Sequence, residues 1–165
     1  MTKQNSKKII LLKGLPGSGK STYVEKLMQE NPGKYKRVGK DFLRNMLDDG
    51  RWSKHNEKFV LNLRDHVILK ALEGGNHVIV DDTNLHPRHE ARIRQITKGL
   101  AEVQIEDFTD VDVEVCIERD LQRCHSVGEK VIKKQCLLLV AGMVVVKKIQ
   151  LKGSMKITST IPSYL

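Results

Sequence analysis

The chain has 165 residues, 39% of them hydrophobic and 30% charged, with a formal net charge of +9. That length suits one domain with a sizeable core, residues 1–165 taken together, and the balance of apolar and charged residues argues against disorder. The longest apolar run, Cys136 to Val146, covers 11 residues, short of the ~18–20 that cross a bilayer, so no membrane association is expected.

Lys8 to Leu12 is a short continuous apolar run, as expected of a strand buried on both faces. Helical spacing runs from about Ser21 to Glu30, and Asn31-Pro32-Gly33 stops it. A short strand is expected over Tyr35 to Val38, then a helix after Lys40 that breaks around Asp48-Asp49-Gly50. From His55 to Glu73 the apolar residues fall mostly at three- and four-residue intervals, the strongest helix signal in the chain, and Gly74-Gly75 ends it. His77 to Asp81 reads as a central strand, and Pro87 to Leu100 as a basic amphipathic helix with proline in its first turn. Val103 to Phe108 alternates like a strand, Val113 to Arg123 reads as a helix, and another helix starts at about Glu129. Alternating strands and helices predict an α/β fold, a central parallel sheet flanked by helices on both faces. The stretch after Cys136 fits a helix running into a Gly153-Ser154 hairpin or a pair of edge strands equally well, and 136–165 stays unassigned.

Gly14-Leu-Pro16-Gly17-Ser18-Gly19-Lys20-Ser21-Thr22 matches G-x-x-x-x-G-K-[ST] between a buried strand and a helix, the context that gives the pattern its meaning. Glycines let successive N–H groups turn inward around phosphate oxygens, and the helix N-terminus adds partial positive charge. Lys20 is placed for the β- and γ-phosphates of ATP and Ser21 for Mg²⁺. The loop alone does not separate kinases from other nucleotide-binding proteins. An Asn-Lys-x-Asp base-recognition motif is absent, however, and the chain is short for a motor or ring ATPase, so a small phosphotransferase fits better.

Such an enzyme needs an acceptor site with a base. Asp41-Phe-Leu-Arg44 follows the second strand, and spacing of three puts carboxylate and guanidinium on one helix face. There an aspartate can take a proton from a hydroxyl and an arginine can hold an anionic group, although a helix-capping aspartate in a surface ion pair reads the same way. Val78 to Asn84 is an apolar strand that delivers Asp81, Asp82 and Asn84 to the same sheet edge. One of the two carboxylates can hold a metal-bound water, and the pattern does not say which; capping of the next helix is the plainer reading. Arg119 and Arg123, four apart on one helix, can converge on a triphosphate or simply counter the helix dipole.

Other features carry less. Asp110-Val111-Asp112 lacks the Gly-Thr of a phosphatase motif, and Cys116, Cys124 and Cys136 lack metal-ligand or disulfide-framework spacing. The lysine-rich, polar N-terminus does not read as a signal peptide, so a reduced, cytoplasmic setting is expected. Residues 101–120 hold eight acids against Arg119, while the segments on either side are basic, which permits a polyanionic partner without requiring one. At 4% aromatic content extensive base stacking is not expected, and Trp52, Tyr35 and Phe42 are assigned to core packing.

Together the motifs resemble the kinase domain of bacteriophage-type 5′ polynucleotide kinases. The resemblance covers about 7–132: the phosphate loop, Asn31-Pro32-Gly33, Asp41-x-x-Arg44, Asp82-Thr-Asn84-Leu-x-Pro87, and Arg119-x-x-x-Arg123 with Val127-Gly128-Glu129. It implies a P-loop kinase fold with an arginine-bearing lid, and ATP and Mg²⁺ as cofactors. The 5′-hydroxyl ends of DNA or RNA would be the partners. It further implies Asp41 as general base, Arg44 on the adjacent acceptor phosphate, and Asp82 and Asn84 beside the reacting groups. Lys20, Ser21 and Arg123 would act on the donor, with Arg119 in support. The region after about Cys136 departs from the family pattern, and the 3′-end healing activity of bifunctional relatives is not expected of this chain. A sugar, nucleoside or sugar-nucleotide kinase and a nucleotide-binding switch without turnover are the alternatives.

Overall fold

A computed structural model describes residues 6–140. Four strands, β1 (Lys8–Lys13), β2 (Tyr35–Val38), β3 (His77–Val80) and β4 (Glu102–Asp107), form a wholly parallel sheet in the order β2-β3-β1-β4. The helices are α1 (Lys20–Glu30), α2 (Lys40–Asp48), α3 (Lys54–Glu73), α4 (Pro87–Ile96) and α5 (Val113–Leu121), and a last helical segment occupies 129–140. The expected α/β architecture is what forms.

The apolar runs explain the layering. β1 lies between β3 and β4, and its side chains alternate between two cores. Ile9 and Leu11 join Val78, Val80 and the α3 residues Ile68 and Leu72 on one face. Ile10 and Leu12 join Ile79 and Val24 of α1 on the other. Each such fully buried side chain contributes roughly 1.5–3 kcal/mol relative to exposure. A third cluster, Leu15, Cys116, Ile117 and Ile132, fastens α5 and the last helical segment to the phosphate loop.

Two helices end earlier than their sequence patterns predict. α4 stops at Ile96 rather than Leu100, where the Thr97 hydroxyl bonds back to the Ile93 carbonyl and Gly99 turns the chain at φ 77°. α5 stops at Leu121, so Arg123 leaves the helical face it was expected to share with Arg119 and stands in the loop beyond. Of the stretch left unassigned, 136–140 continues the last helical segment, and the rest, 141–165, lies outside the described residues. Among the described residues, no helix is long and apolar enough to cross a membrane.

Candidate active site

The phosphate loop joins β1 to α1 at the carboxyl edge of the sheet, where parallel α/β folds present their sites. Two contacts from the segment after β3 hold it: the Gly14 N–H donates to the Thr83 carbonyl at 3.0 Å, and the Asn84 side-chain amide donates to the Leu12 carbonyl at 2.8 Å. Gly17 sits at φ 82° against the Cys116 carbonyl, so a side chain there would meet backbone as well as strain. Lys20 is buried, and its ammonium donates to the Gly14 and Leu15 carbonyls at 2.9 and 2.7 Å and to Ser18 Oγ at 3.3 Å. Burial lowers its pKa to about 8, with Arg123 adding to the effect and the Asp81 carboxylate opposing it.

A cleft of about 150 Å³ opens over the loop, lined by Lys20, Ser21, Asp41, Asp81, Asp82 and Arg123 among others. A second, of about 510 Å³, adjoins it through Gly17, Gly19 and Arg123 and adds Thr22, Tyr23, Lys26 and Arg119. Arg123 therefore stands on the wall between two clefts, and Arg119 faces only the second, its Nη1 3.5 Å from the Gly17 carbonyl. Pro16 lines the first cleft as well.

Asp41 opens the first turn of α2 with an 82% exposed side chain, and Arg44 Nη2 donates to its Oδ1. This is the expected pair on one helix face. Glu57, from the first turn of α3, completes it: its carboxylate accepts from Arg44 Nη1 and from Lys40 Nζ, both at 2.8 Å. Burial would raise the Glu57 pKa, but the two cations hold it below the usual carboxylate value. Nothing in the spacing of Arg44 and Glu57, thirteen residues apart, signals that contact.

The two aspartates after β3 have separate partners. Asp82 accepts from the Lys40 N–H at 2.8 Å through Oδ1 and from Arg64 Nη1 at 3.0 Å through Oδ2, which fastens the start of α2 to the sheet. Arg64 in turn bonds Asp65, which bonds Arg92 of α4. A buried arginine has a sequence signal after all: Val60, Arg64, Ile68 and Leu72 form a four-spaced stripe that is otherwise apolar. Asp81 instead accepts from Arg37 Nε and Nη2 at 2.8 and 2.5 Å through Oδ2, and it faces Lys20 in the cleft.

Other expectations shift. Asn84 is buried at φ 44°, bonded to Leu12 and to the Asp82 carbonyl, and does not line the cleft; it braces the loop from behind. Phe42 and Trp52, assigned to the core, are 47% and 65% exposed: Phe42 lies on α2 where that helix lines the cleft, and Trp52 lies in the loop between α2 and α3. Tyr35 is half-buried, packed against the α1 core and beside the His77 ring at 5.3 Å. Gly39 lies outside the motifs, yet a Cβ there would come within 2.5 Å of the Asp81 carbonyl.

The loop after α5 is held by a residue the motifs omit. Asp120, almost fully buried at the end of α5, accepts through Oδ2 from the Ser126 hydroxyl and the Val127 and Gly128 N–H groups at 2.7, 2.9 and 3.0 Å. Arg123 lies 4.0 Å from its other oxygen. These groups suit a magnesium nucleotide. The ammonium of Lys20 rests on neutral carbonyls that a phosphate oxygen outcompetes, and the Ser21 hydroxyl shares the cleft with the Asp81 carboxylate.

A family model described as an AAA domain matches residues 9–139. The chain is 28% identical over 128 residues to the L-seryl-tRNA(Sec) kinase of Methanococcus maripaludis, covering 76% of this chain and 49% of that protein. It is 26% identical over 147 residues to a protein of Autographa californica nuclear polyhedrosis virus named as a bifunctional polynucleotide kinase/RNA ligase, covering 79% of this chain and 20% of that one. The chain thus spans about half the length of the first curated relative and a fifth of the second. Among solved structures it matches the Pnkp1/Rnl/Hen1 RNA repair complex at a TM-score of 0.72 and 26% identity, over 87% of this chain and 48% of that one. The Mycobacterium tuberculosis APS kinase CysC matches at 0.56 and 24% identity, over 71% of this chain and 70% of that one, and shows the shared fold alone.

Proposed function

Because the chain belongs to the AAA-domain family matched over residues 9–139 and carries the α/β fold of a P-loop kinase, we propose that it transfers the γ-phosphate of ATP to the 5′-hydroxyl end of a nucleic acid. One observation carries the reading: Asp41, Lys20, Asp81 and Arg123 line a single cleft, with Arg44 held against Asp41 at its rim. The relatives support nucleic acid as the acceptor class, since one is a seryl-tRNA kinase, another is named for a polynucleotide kinase and RNA ligase, and the structural match is an RNA repair complex.

In this reading Lys20 and Ser21 hold the donor phosphates and Mg²⁺, with Gly14, Gly17 and Gly19 exposing the loop N–H groups. The magnesium nucleotide supplies an activated phosphoryl group. Asp41 accepts the proton of the acceptor hydroxyl as its oxygen bonds to phosphorus and the bond to the departing ADP oxygen breaks. Arg44 takes the phosphate next to the attacking sugar, an anion joining the pair it already makes with Asp41. Arg123, on the wall between the clefts, faces the charge in transfer, and Arg119 flanks the donor.

The 28% identity to a seryl-tRNA kinase favours a second reading, a hydroxyl on an aminoacyl group attached to RNA. Label transfer from γ-labelled ATP separates these from a metabolite kinase. The acceptors are a nucleoside, its 3′-monophosphate, a short 5′-hydroxyl oligonucleotide and seryl-tRNA, at two salt concentrations. The 3′-monophosphate is expected to be a usable minimal acceptor and the plain nucleoside a poor one. The oligonucleotide's advantage should shrink as salt rises. Arg44→Ala should narrow the gap between nucleoside and 3′-monophosphate, removing a contact worth roughly 1.5–3 kcal/mol. A nucleoside used as well as its 3′-monophosphate by both proteins would replace this reading with the small-molecule one.

A further inference from the structure

We propose that Phe42, backed by Arg37, is the platform on which the terminal base of the acceptor stacks, so that the enzyme selects ends bearing a planar base, with little regard to which. The inference rests on the acceptor reading above and adds a specificity-determining residue to it.

Phe42 follows Asp41 directly on α2, and both line the cleft that holds Lys20 and Asp81. A phenylalanine left 47% exposed at that position does not serve the core. Its surroundings are built rather than accidental. The Arg37 guanidinium lies over the ring, 4.7 Å from the centroid, and is fixed there by its fork onto the Asp81 carboxylate. Gly39 gives the ring its room, since a Cβ at 39 would lie 3.1 Å from Phe42 Cδ2.

A ring with a cation anchored on one side and half its surface open is the kind of surface on which nucleobases stack, without discrimination among them. A sugar or an aliphatic hydroxyl compound has no planar π-face to offer. One platform of this sort is also consistent with a chain that is poor in aromatics. Arg37 then joins both halves of the site: through Asp81 it borders the donor phosphates, and through Phe42 the acceptor base.

The test compares an intact 5′-hydroxyl oligonucleotide with one whose 5′-terminal unit is abasic. With the wild-type chain the abasic acceptor is expected to show a KM roughly 5- to 150-fold higher, the range of one base–aromatic stack. Phe42→Leu should bring the KM of the intact acceptor up to the abasic one, and Phe42→Trp should preserve the difference. A 5′-terminal 2-aminopurine is expected to be quenched on binding to wild type and to Phe42→Trp but not to Phe42→Leu. This readout needs no turnover. Equal KM values for intact and abasic acceptors on the wild-type chain, with phosphate transferred to both, would overturn the platform and leave the kinase assignment standing. No transfer to any 5′-hydroxyl oligonucleotide would overturn both.

Discussion

Arg64 has no exposed surface, and its Nη1 donates to Asp82 Oδ2 at 3.0 Å, so the second aspartate after β3 is the anchor of a buried arginine. Its other oxygen caps the Lys40 N–H. Both aspartates line the cleft, but Asp82 uses both oxygens on Lys40 and Arg64 whereas Arg37 takes only Oδ2 of Asp81, so we propose Asp81 as the carboxylate that would hold a metal-bound water. Asp82→Ala should destabilise the fold by roughly 1–3 kcal/mol, the cost of unsatisfied buried donors on Arg64 and Lys40, since Asp65 still pairs with the Arg64 charge. Asp81→Asn should cost much less stability and suppress turnover. Denaturant midpoints and transfer rates for both variants test the division of labour. The opposite pattern would exchange the roles.

Lys20 must be charged to hold phosphate, and burial lowers its pKa to about 8 in the ligand-free chain. A bound polyphosphate stabilises the ammonium and raises that pKa, so the complex carries more protons than the free chain above neutral pH. ATP affinity should therefore fall as pH rises from 7 to 9.5. Calorimetry at pH 8 in buffers of different ionisation heat should show uptake of up to ~0.5 proton per site, and almost none at pH 6.5. Lys20→Ala should abolish transfer, keep the fold and lose the uptake. Uptake that persisted in that variant would belong to another group.

Asp41→Asn keeps the shape of the side chain and removes its basicity. Turnover should fall by roughly 10²–10⁴-fold with ATP affinity little changed. Collapse of ATP binding instead would place Asp41 on the donor side. Glu57→Gln leaves Arg44 and Lys40 without the charge that orients them. It should raise the acceptor KM about 10-fold or more while kcat changes less, and a fall in kcat alone would argue against a positioning role.

Asp120 gathers the loop after α5 through three donors. Burial would raise its pKa, but the Gly128 N–H, the Ser126 hydroxyl and the Val127 N–H hold it below the ordinary carboxylate value. A lowered folded-state pKa means the stabilisation is complete above the unfolded value near ~4 and is lost as pH falls through the folded one. Asp120→Ala should cost about 1–3 kcal/mol at pH 7 and raise the KM for ATP, since Arg119 and Arg123 flank that loop. Thermal unfolding at pH 7 and pH 3 checks the sign: the gap between wild type and variant should shrink on acidification.

Much of this protein was legible in one dimension because the signals are local. The apolar runs of β1 and β3, the glycine loop, the Asn31-Pro32-Gly33 stop and the i,i+3 spacing of Asp41 and Arg44 each depend on a few neighbouring residues. Strand–helix alternation then leaves a parallel sheet as the natural arrangement. What only the tertiary structure decided are contacts between distant segments, for which chain spacing holds no periodic signal. Glu57 meets Arg44 across the α2–α3 turn, Arg37 meets Asp81 across two strands, and Asp82 is claimed by Arg64 and so separated from Asp81. The same holds for Phe42. Composition counts it with the core, and only the placement of α2 at the rim of the cleft leaves its ring beside the base we assign to catalysis.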